Sequence, residues 1–245
     1  MEQQIGNPAL CEKCSGTGWE VLVEGNVSRA RRCSCSKTIE GDRLFAAAKI
    51  PPRYLACDFD SFKPCTMKQG QARNLATNYA IDYPLLDKET FREKSLLFTG
   101  GSGRGKTHLA VAVLKGLLKK GLPCLFVDFH DLLVQIRGSY DEVSQNSEYE
   151  ILRPVLNIDI LLLDDLGSQR MSEWVQDTIF YIINHRYSQN KPVIATTNLG
   201  LEPGRGTPIE SLQDRLGYRV VSRLYEMCTC FELDGPDYRK NPPPA

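Results

Sequence analysis

The sequence predicts an α/β protein in which one sheet of buried parallel strands is flanked by helices and preceded by a small zinc-ribbon-like unit. Three observations carry that expectation. A strand-like run from Ser95 to Thr99 leads into Gly100-Gly101-Ser102-Gly103-Arg104-Gly105-Lys106-Thr107, where a helical pattern opens. This is G-x-x-x-x-G-K-T in the strand–turn–helix setting that a P-loop requires. A second apolar run, Ile160 to Leu163, ends in Asp164-Asp165. A strand buried on both faces reads this way, and open α/β sheets place their ligands at such carboxyl ends. Finally, four cysteines fall as Cys11-x-x-Cys14 and Cys33-x-Cys35 with eighteen residues between the pairs, close to the spacing of a structural zinc site.

The whole chain fits that frame. Its 245 residues allow one good-sized α/β core plus an appendage, and too little chain remains for a second full domain. Thirty basic and thirty acidic residues cancel, so any nucleic-acid surface must be local. No apolar run has the length of a membrane span, and Met1-Glu2-Gln3-Gln4 begins neither a signal nor a transit peptide, so a cytoplasmic protein without membrane contact is expected. In that compartment nine cysteines point to metal rather than to disulfides. The expected division is a zinc-binding unit over residues 1–50, a P-loop unit over 51–240 and a disordered Pro-rich tail over 241–245.

Taken in order, Trp19 to Val23 and a run ending near Arg32 read as two strands joined by a turn at Gly25-Asn26. The second cysteine pair is tighter than C-x-x-C, which leaves open a strained sulfur or a ligand from elsewhere. Arg29, Arg31, Arg32, Lys37, Arg43, Lys49 and Arg53 outnumber Glu40 and Asp42, a basic excess that suits nucleic acid, an acidic partner or plain solvent. Ser36 to Lys49 is helical until Ile50-Pro51-Pro52 stops it. Tyr54 to Phe62 is expected to be extended, Gln69 to Tyr83 an amphipathic helix, and Cys57 and Cys65 core residues.

Lys106 to Lys120 has helical periodicity, with Gly121 as its stop. Strands are expected at Leu122–Phe129, Pro192–Thr197 and Cys228–Leu233, and helices at Asp131–Tyr140, Trp174–Tyr187 and Leu212–Met227. Asp141 to Tyr149 reads as an exposed connection. Cys228 and Cys230 lie in a strand pattern and read as core rather than metal ligands.

The chemistry follows from residue type. Glycines let backbone N–H groups converge on phosphate oxygens, and the helix start adds positive partial charge. Lys106 would reach the β- and γ-phosphates and Thr107 would be a ligand of Mg²⁺. Asp164 would hold Mg²⁺ through water, Asp165 would polarise the attacking water, and Asn198 at the end of the later strand would orient it or sense the γ-phosphate.

With these pieces placed, the chain resembles the AAA+ ATPases of bacterial replicative-helicase loaders, the DnaC/DnaI type, and the related IstB transposition ATPases. The carrying residues are Ile50-Pro51-Pro52-Arg53-Tyr54, Gly103 to Leu109, Leu163 to Gly167, Asn184-His185-Arg186-Tyr187, Thr196 to Leu199 and Ser222-Arg223-Leu224. The resemblance implies a three-layer P-loop NTPase domain with strand order 5-1-4-3-2. ATP would lie against Gly100 to His108, and the chains would assemble into a ring or helical filament. It further implies that Arg223 completes a neighbour's ATP site and that Arg239 matches a second arginine sensor. The cysteine hairpin resembles the zinc-binding helicase-contact domain of DnaI-like loaders. ATP, Mg²⁺ and Zn²⁺ are the implied cofactors, and a DnaB-type replicative helicase and single-stranded DNA the implied partners. An IstB-like transposition helper is the alternative. Asp165 stands where glutamate is usual in AAA+ proteins, which shortens the reach to water by one methylene.

Overall fold

The computed structural model describes residues 11–15, 17–24, 27–33, 35–83, 94–140, 147–169, 171–202 and 210–240. It begins with an antiparallel pair, β1 (Trp19–Glu24) and β2 (Val27–Arg32), in which Trp19 faces Arg32 and Val21 faces Ala30. The expected turn at Gly25-Asn26 and the tail from residue 241 lie outside the described residues. Helix α1 (Cys35–Ala47) follows and ends before Ile50-Pro51-Pro52, as expected.

A five-stranded sheet forms the centre. It consists of β3 (Ser95–Thr99), β4 (Cys124–Asp128), β5 (Ile160–Leu166), β6 (Val193–Thr197) and β7 (Cys228–Glu232), in the order β4-β5-β6-β3-β7. All four pairings are parallel. Counted from the P-loop strand, this is the expected order 5-1-4-3-2. Alternation explains why the strands read as unbroken apolar runs, since each face is covered by helices. Leu96, Phe98, Ile160, Leu162 and Ile194 share a buried cluster with helices α2 (Met67–Asp82) and α3 (Lys106–Lys119) and with Ala48 at the end of α1. Leu97, Leu161, Leu163, Val193 and Ala195 pack on the other side. There they meet α4 (Phe129–Gly138), α5 (Glu148–Asn157), α6 (Glu173–Ser188), α7 (Leu212–Leu216) and α8 (Tyr218–Met227). The result is the expected three layers.

Four local expectations need correction. Helix α5 begins within the supposed connection: Ser147 and Glu150 form a capping box, and the helix tolerates Pro154 inside it. The long helix over Leu212–Met227 is two helices, broken at Gly217, whose φ of 83° is a left-handed value that suits glycine. Residues 54–62 hold no strand. A 3₁₀ turn at Pro52–Tyr54 and an Asx-type turn, with Ser61 N–H donating to Asp58 Oδ1 at 2.8 Å, replace it. Cys65 is exposed rather than packed in the core, and Cys57 is half-buried.

Arg186 is fully buried between the sheet and α5. Its Nη1 donates to the carbonyls of Val155 (3.1 Å) and Ile158 (3.0 Å), and its Nη2 to those of Asp159 (2.9 Å) and Pro192 (2.7 Å). A single guanidinium thus satisfies the chain entering both β5 and β6. Among the described residues no helix is long and apolar enough to cross a membrane.

Candidate functional site

The carboxyl ends of β3, β4, β5 and β6 open into a cleft of about 490 Å³. Its floor is the loop between β3 and α3. Three glycines there are sterically obligatory. A Cβ on Gly100 would stand 2.1 Å from the Leu233 carbonyl oxygen, on Gly103 1.7 Å from an Asp237 carboxylate oxygen, and on Gly105 2.5 Å from the Phe62 ring. All three have left-handed or related positive φ (123°, 72° and 89°), which only glycine adopts without strain. Ser102, Gly103 and Gly105 line the cleft with Lys106, Thr107 and His108, whereas Gly100, Gly101 and Arg104 shape it from behind. The Arg104 guanidinium turns to the Leu233 carbonyl, 3.2 Å away, and His108 Nε2 approaches the Asp58 carbonyl at 2.9 Å. Both side chains therefore brace the loop.

Lys106 Nζ donates to the Gly101 carbonyl and to Asn198 Oδ1, each at 2.7 Å. Thr107 Oγ1 donates to Asp164 Oδ1 at 2.9 Å, and Thr196 Oγ1 donates to the same oxygen at 2.6 Å. Asn198 Nδ2 donates to Asp165 Oδ1 at 2.7 Å. The five side chains that the sequence singled out for catalysis and Mg²⁺ around one phosphate cradle, Lys106, Thr107, Asp164, Asp165 and Asn198, thus meet there. Backbone geometry aims the two carboxylates. The β5–β6 register shifts between Leu163 and Leu166, and Asp165 takes a φ of 60° with its N–H donating to Thr196 Oγ1 at 2.9 Å. Such a bulge re-aims successive side chains and is held only when neighbours over-determine it.

Burial sets the charges. It pushes Asp164 above the ordinary carboxylate range, and the Thr196 and Thr107 hydroxyls partly restore it. Burial also lowers Lys106 to about 8, against the pull of Asp165 and Asp164. Each change penalises a charge left without a counter-ion. The donor set fits the ligand that the loop predicts: a hydroxyl and a carboxylate for a hard divalent cation, an ammonium and loop amides for phosphates.

At the amino end, Cys11, Cys14, Cys33 and Cys35 place their sulfurs within 4.8 Å of one another. The Cys11–Cys33 and Cys14–Cys35 separations are 3.7 and 3.3 Å. Four ligands about 2.3 Å from a tetrahedral zinc stand roughly 3.8 Å apart, so small side-chain shifts would let this cluster hold a metal. Ser15 N–H donates to the Cys11 carbonyl at 2.8 Å, and Gly18 N–H to Cys14 Sγ at 3.3 Å. These bonds make the tight turn that the first pair needs. A hydrogen bond shared with the Cys14 sulfur raises the Cys35 thiol, so a metal bound there would have to displace its proton.

Arg239 lines the cleft. Arg223 does not: it stands over the Phe180 and Tyr187 rings, 5.0 and 5.6 Å from their centres, and donates to Asn184 Oδ1 at 3.1 Å. Sequence reasoning missed Thr196, Asp128, Tyr54 and Tyr238 as cleft residues. Only Thr196 carried a signal, as a hydroxyl at the end of a buried strand.

A P-loop, a paired-aspartate strand end, a polar sensor on the next strand and the order 5-1-4-3-2 together define an AAA+ ATPase. A family model described as "IstB-like ATP binding protein" matches residues 29–242, and the chain belongs to that family. It is 26% identical to the replicative helicase loader DnaC of Escherichia coli K12 over 221 residues, 89% of this chain and 84% of that protein. The crystal structure of a DnaC helicase loader matches with a TM-score of 0.63 at 36% identity, covering 75% of this chain and 100% of the other. That of DnaI matches with a TM-score of 0.61 at 23% identity, over 80% and 98% of the two chains, and so shares the fold.

Proposed function

We propose that this chain is an ATP-dependent loader that places a DnaB-type replicative helicase on single-stranded DNA, hydrolysing ATP at sites shared between subunits of a ring or filament. The observation that supports it most is the meeting of Thr107, Asp164, Lys106, Asn198 and Asp165 at one cradle in a chain similar to DnaC loaders. Lys106 would give up the Gly101 carbonyl for a phosphate oxygen. Thr107 and Asp164 would hold Mg²⁺, which neutralises charge on the terminal phosphates when bound. Asp165, fixed by Asn198, would orient water and accept its proton.

Arg223 lies outside its own subunit's cleft, preorganised by two aromatic rings, and would reach the neighbouring subunit's γ-phosphate. Turnover would then require assembly. The four cysteines would hold Zn²⁺ in the helicase-contact unit, residues 1–50, ahead of the ATPase unit, residues 51–240. We place the protein in the cytoplasm.

Asp165→Asn tests this reading. It should slow hydrolysis at least about 100-fold while ATP still binds, and it should trap the DnaB-type helicase, loader and single strand as one complex on a sizing column. A variant that hydrolyses ATP normally, or a wild-type protein that never retains helicase, would overturn it. The family match favours a second reading, a transposition helper. Preference for duplex over single-stranded DNA at matched salt would select it.

A further inference from the structure

The chain that leaves β7 doubles back across the phosphate loop and is pinned there by a buried amide. Gln69, in the first turn of α2, is fully buried. Its Nε2 donates to the Asp234 carbonyl at 2.8 Å, and its Oε1 accepts from Cys65 N–H at 2.7 Å and from the Tyr238 hydroxyl at 2.6 Å. Thr66, which caps α2, donates from Oγ1 to Asp234 Oδ1 at 2.5 Å. Gly235 makes the turn with a φ of 93°, and a Cβ there would come within 3.0 Å of Gln69 Nε2. The approach is therefore as close as a glycine permits.

Tyr238 is the far end of this arrangement. Its one hydroxyl proton is shared between Gln69 Oε1 and the Lys63 carbonyl, both 2.6 Å away. Its backbone N–H donates to the Gly103 carbonyl of the phosphate loop at 3.0 Å. Its ring meets Phe62 edge-on at 6.3 Å. Burial pushes the hydroxyl up to about 12, so it remains a donor at any working pH. The next residue, Arg239, enters the cleft, and its N–H is capped by Asp237 Oδ1 at 2.9 Å.

We propose that Tyr238 is a positioning residue for nucleotide: the grip of Gln69 and Lys63 on its hydroxyl fixes where Arg239 stands in the cleft. This rests on the reading of the cleft as an ATP site. Arg239 itself is exposed and no carboxylate pairs with it among the described residues. Its placement therefore depends on the backbone that carries it. A backbone anchored on one side only would have to be ordered by the ligand, and that cost would appear as weaker binding and faster release.

The test uses the full chain with Mg²⁺ and a fluorescent ADP, comparing wild type, Tyr238→Phe, Arg239→Ala and the double variant. Tyr238→Phe keeps the ring and loses only the hydroxyl. It should speed ADP release by roughly three- to tenfold and raise KM for ATP more than it lowers kcat, equally at pH 7 and pH 9. In the Arg239→Ala background the same substitution should change release by less than about twofold, because its effect passes through Arg239. Release at the wild-type rate in Tyr238→Phe, or the full effect persisting without Arg239, would overturn the inference. Should Tyr238→Phe not fold, Asp237→Ala removes the other anchor of Arg239 outside the core and must show the same non-additivity. A wild-type chain that binds no nucleotide would instead remove the cleft reading and this inference together.

Discussion

The nucleotide cleft and the cysteine hairpin are both sites made of converging side chains, but they are held in opposite ways. Behind the cleft stand Leu97, Phe98, Leu162, Leu163 and Ala195, all fully buried. Each large apolar side chain so placed contributes roughly 1.5–3 kcal/mol. In the hairpin, Trp19, Val21 and Leu22 are 50%, 67% and 39% exposed, and Cys14 and Cys33 are the buried side chains among the described residues of 11–33. A two-stranded unit of that kind has no independent stability. The sheet therefore positions Thr107, Asp164 and Asn198 before any ligand arrives, whereas the hairpin, on the proposal that its four cysteines hold zinc, would need that metal to fold.

Metal removal separates the two regions most sharply. A structural zinc contributes apparent free energies of about 10–16 kcal/mol, more than the hairpin can supply by burial. Chelation, or Cys14→Ser, should abolish amide-exchange protection at Cys33 N–H, which donates to the Gly18 carbonyl at 2.8 Å. Protection in β3 and affinity for ATP should stay within about twofold, since β3 is held by β6 and β7 in a sheet that the hairpin strands do not join. A hairpin that keeps its protection in metal-free buffer would erase the contrast.

What the sequence disclosed follows the same division. The P-loop, the Asp164-Asp165 strand end and the four cysteines were legible because their chemistry demands fixed residue types at short spacings. The strand order came with the family resemblance. What stayed hidden was long-range. Thr196 organises both carboxylates from a strand thirty-one residues further on, and no local pattern announces that. Gln69 looked like an ordinary helix residue, yet it is a buried polar hub whose partners lie up to 169 residues away. The bulge that turns Asp165 is equally silent, because it arises from pairing with β6. By contrast, Gly217 and the Ser147–Glu150 box were readable signals, overridden by the apolar periodicity of Leu212–Met227 and the polarity of residues 141–149.

A smaller effect tests whether the sheet side is as self-sufficient as the comparison holds. Arg186 supplies the donors that water would otherwise give these carbonyls, and burial lowers it only to about 10, so it stays charged at neutral pH. Arg186→Met keeps an unbranched stem but ends two atoms short and carries no donors, so the Val155, Ile158, Asp159 and Pro192 carbonyls all lose the guanidinium. The expected loss is at least about 3 kcal/mol, read as a lower denaturation midpoint with an unchanged denaturant slope. Metal content should not alter, because none of the described hairpin residues is among the hydrogen-bond partners of Arg186. A loss below about 1 kcal/mol would mean that those carbonyls find other partners.

The mildest test sets the two regions against each other through pH. Lys106 has a native value of about 8 against 10.5 when exposed. Below pH 8 it is charged in both folded and unfolded chains, and its burial penalty is fully present. Between pH 8 and 10.5 the unfolded chain binds more protons, so this group makes the fold more stable as pH rises. Nucleotide affinity must run the other way. Phosphates favour the ammonium, so binding above pH 8 takes up a proton and weakens with each further unit, by at most about tenfold. The cysteine cluster would reverse that sign, because metal must displace protons from thiols such as Cys35, which its hydrogen bond with Cys14 has raised. Calorimetry in buffers of different ionisation heat should therefore record proton uptake for ATP and proton release for zinc on the same protein. Uptake absent at pH 8.5 would show that Lys106 keeps the same protonation with and without ATP, and the lowering of its value by burial in the empty cleft would have to be abandoned.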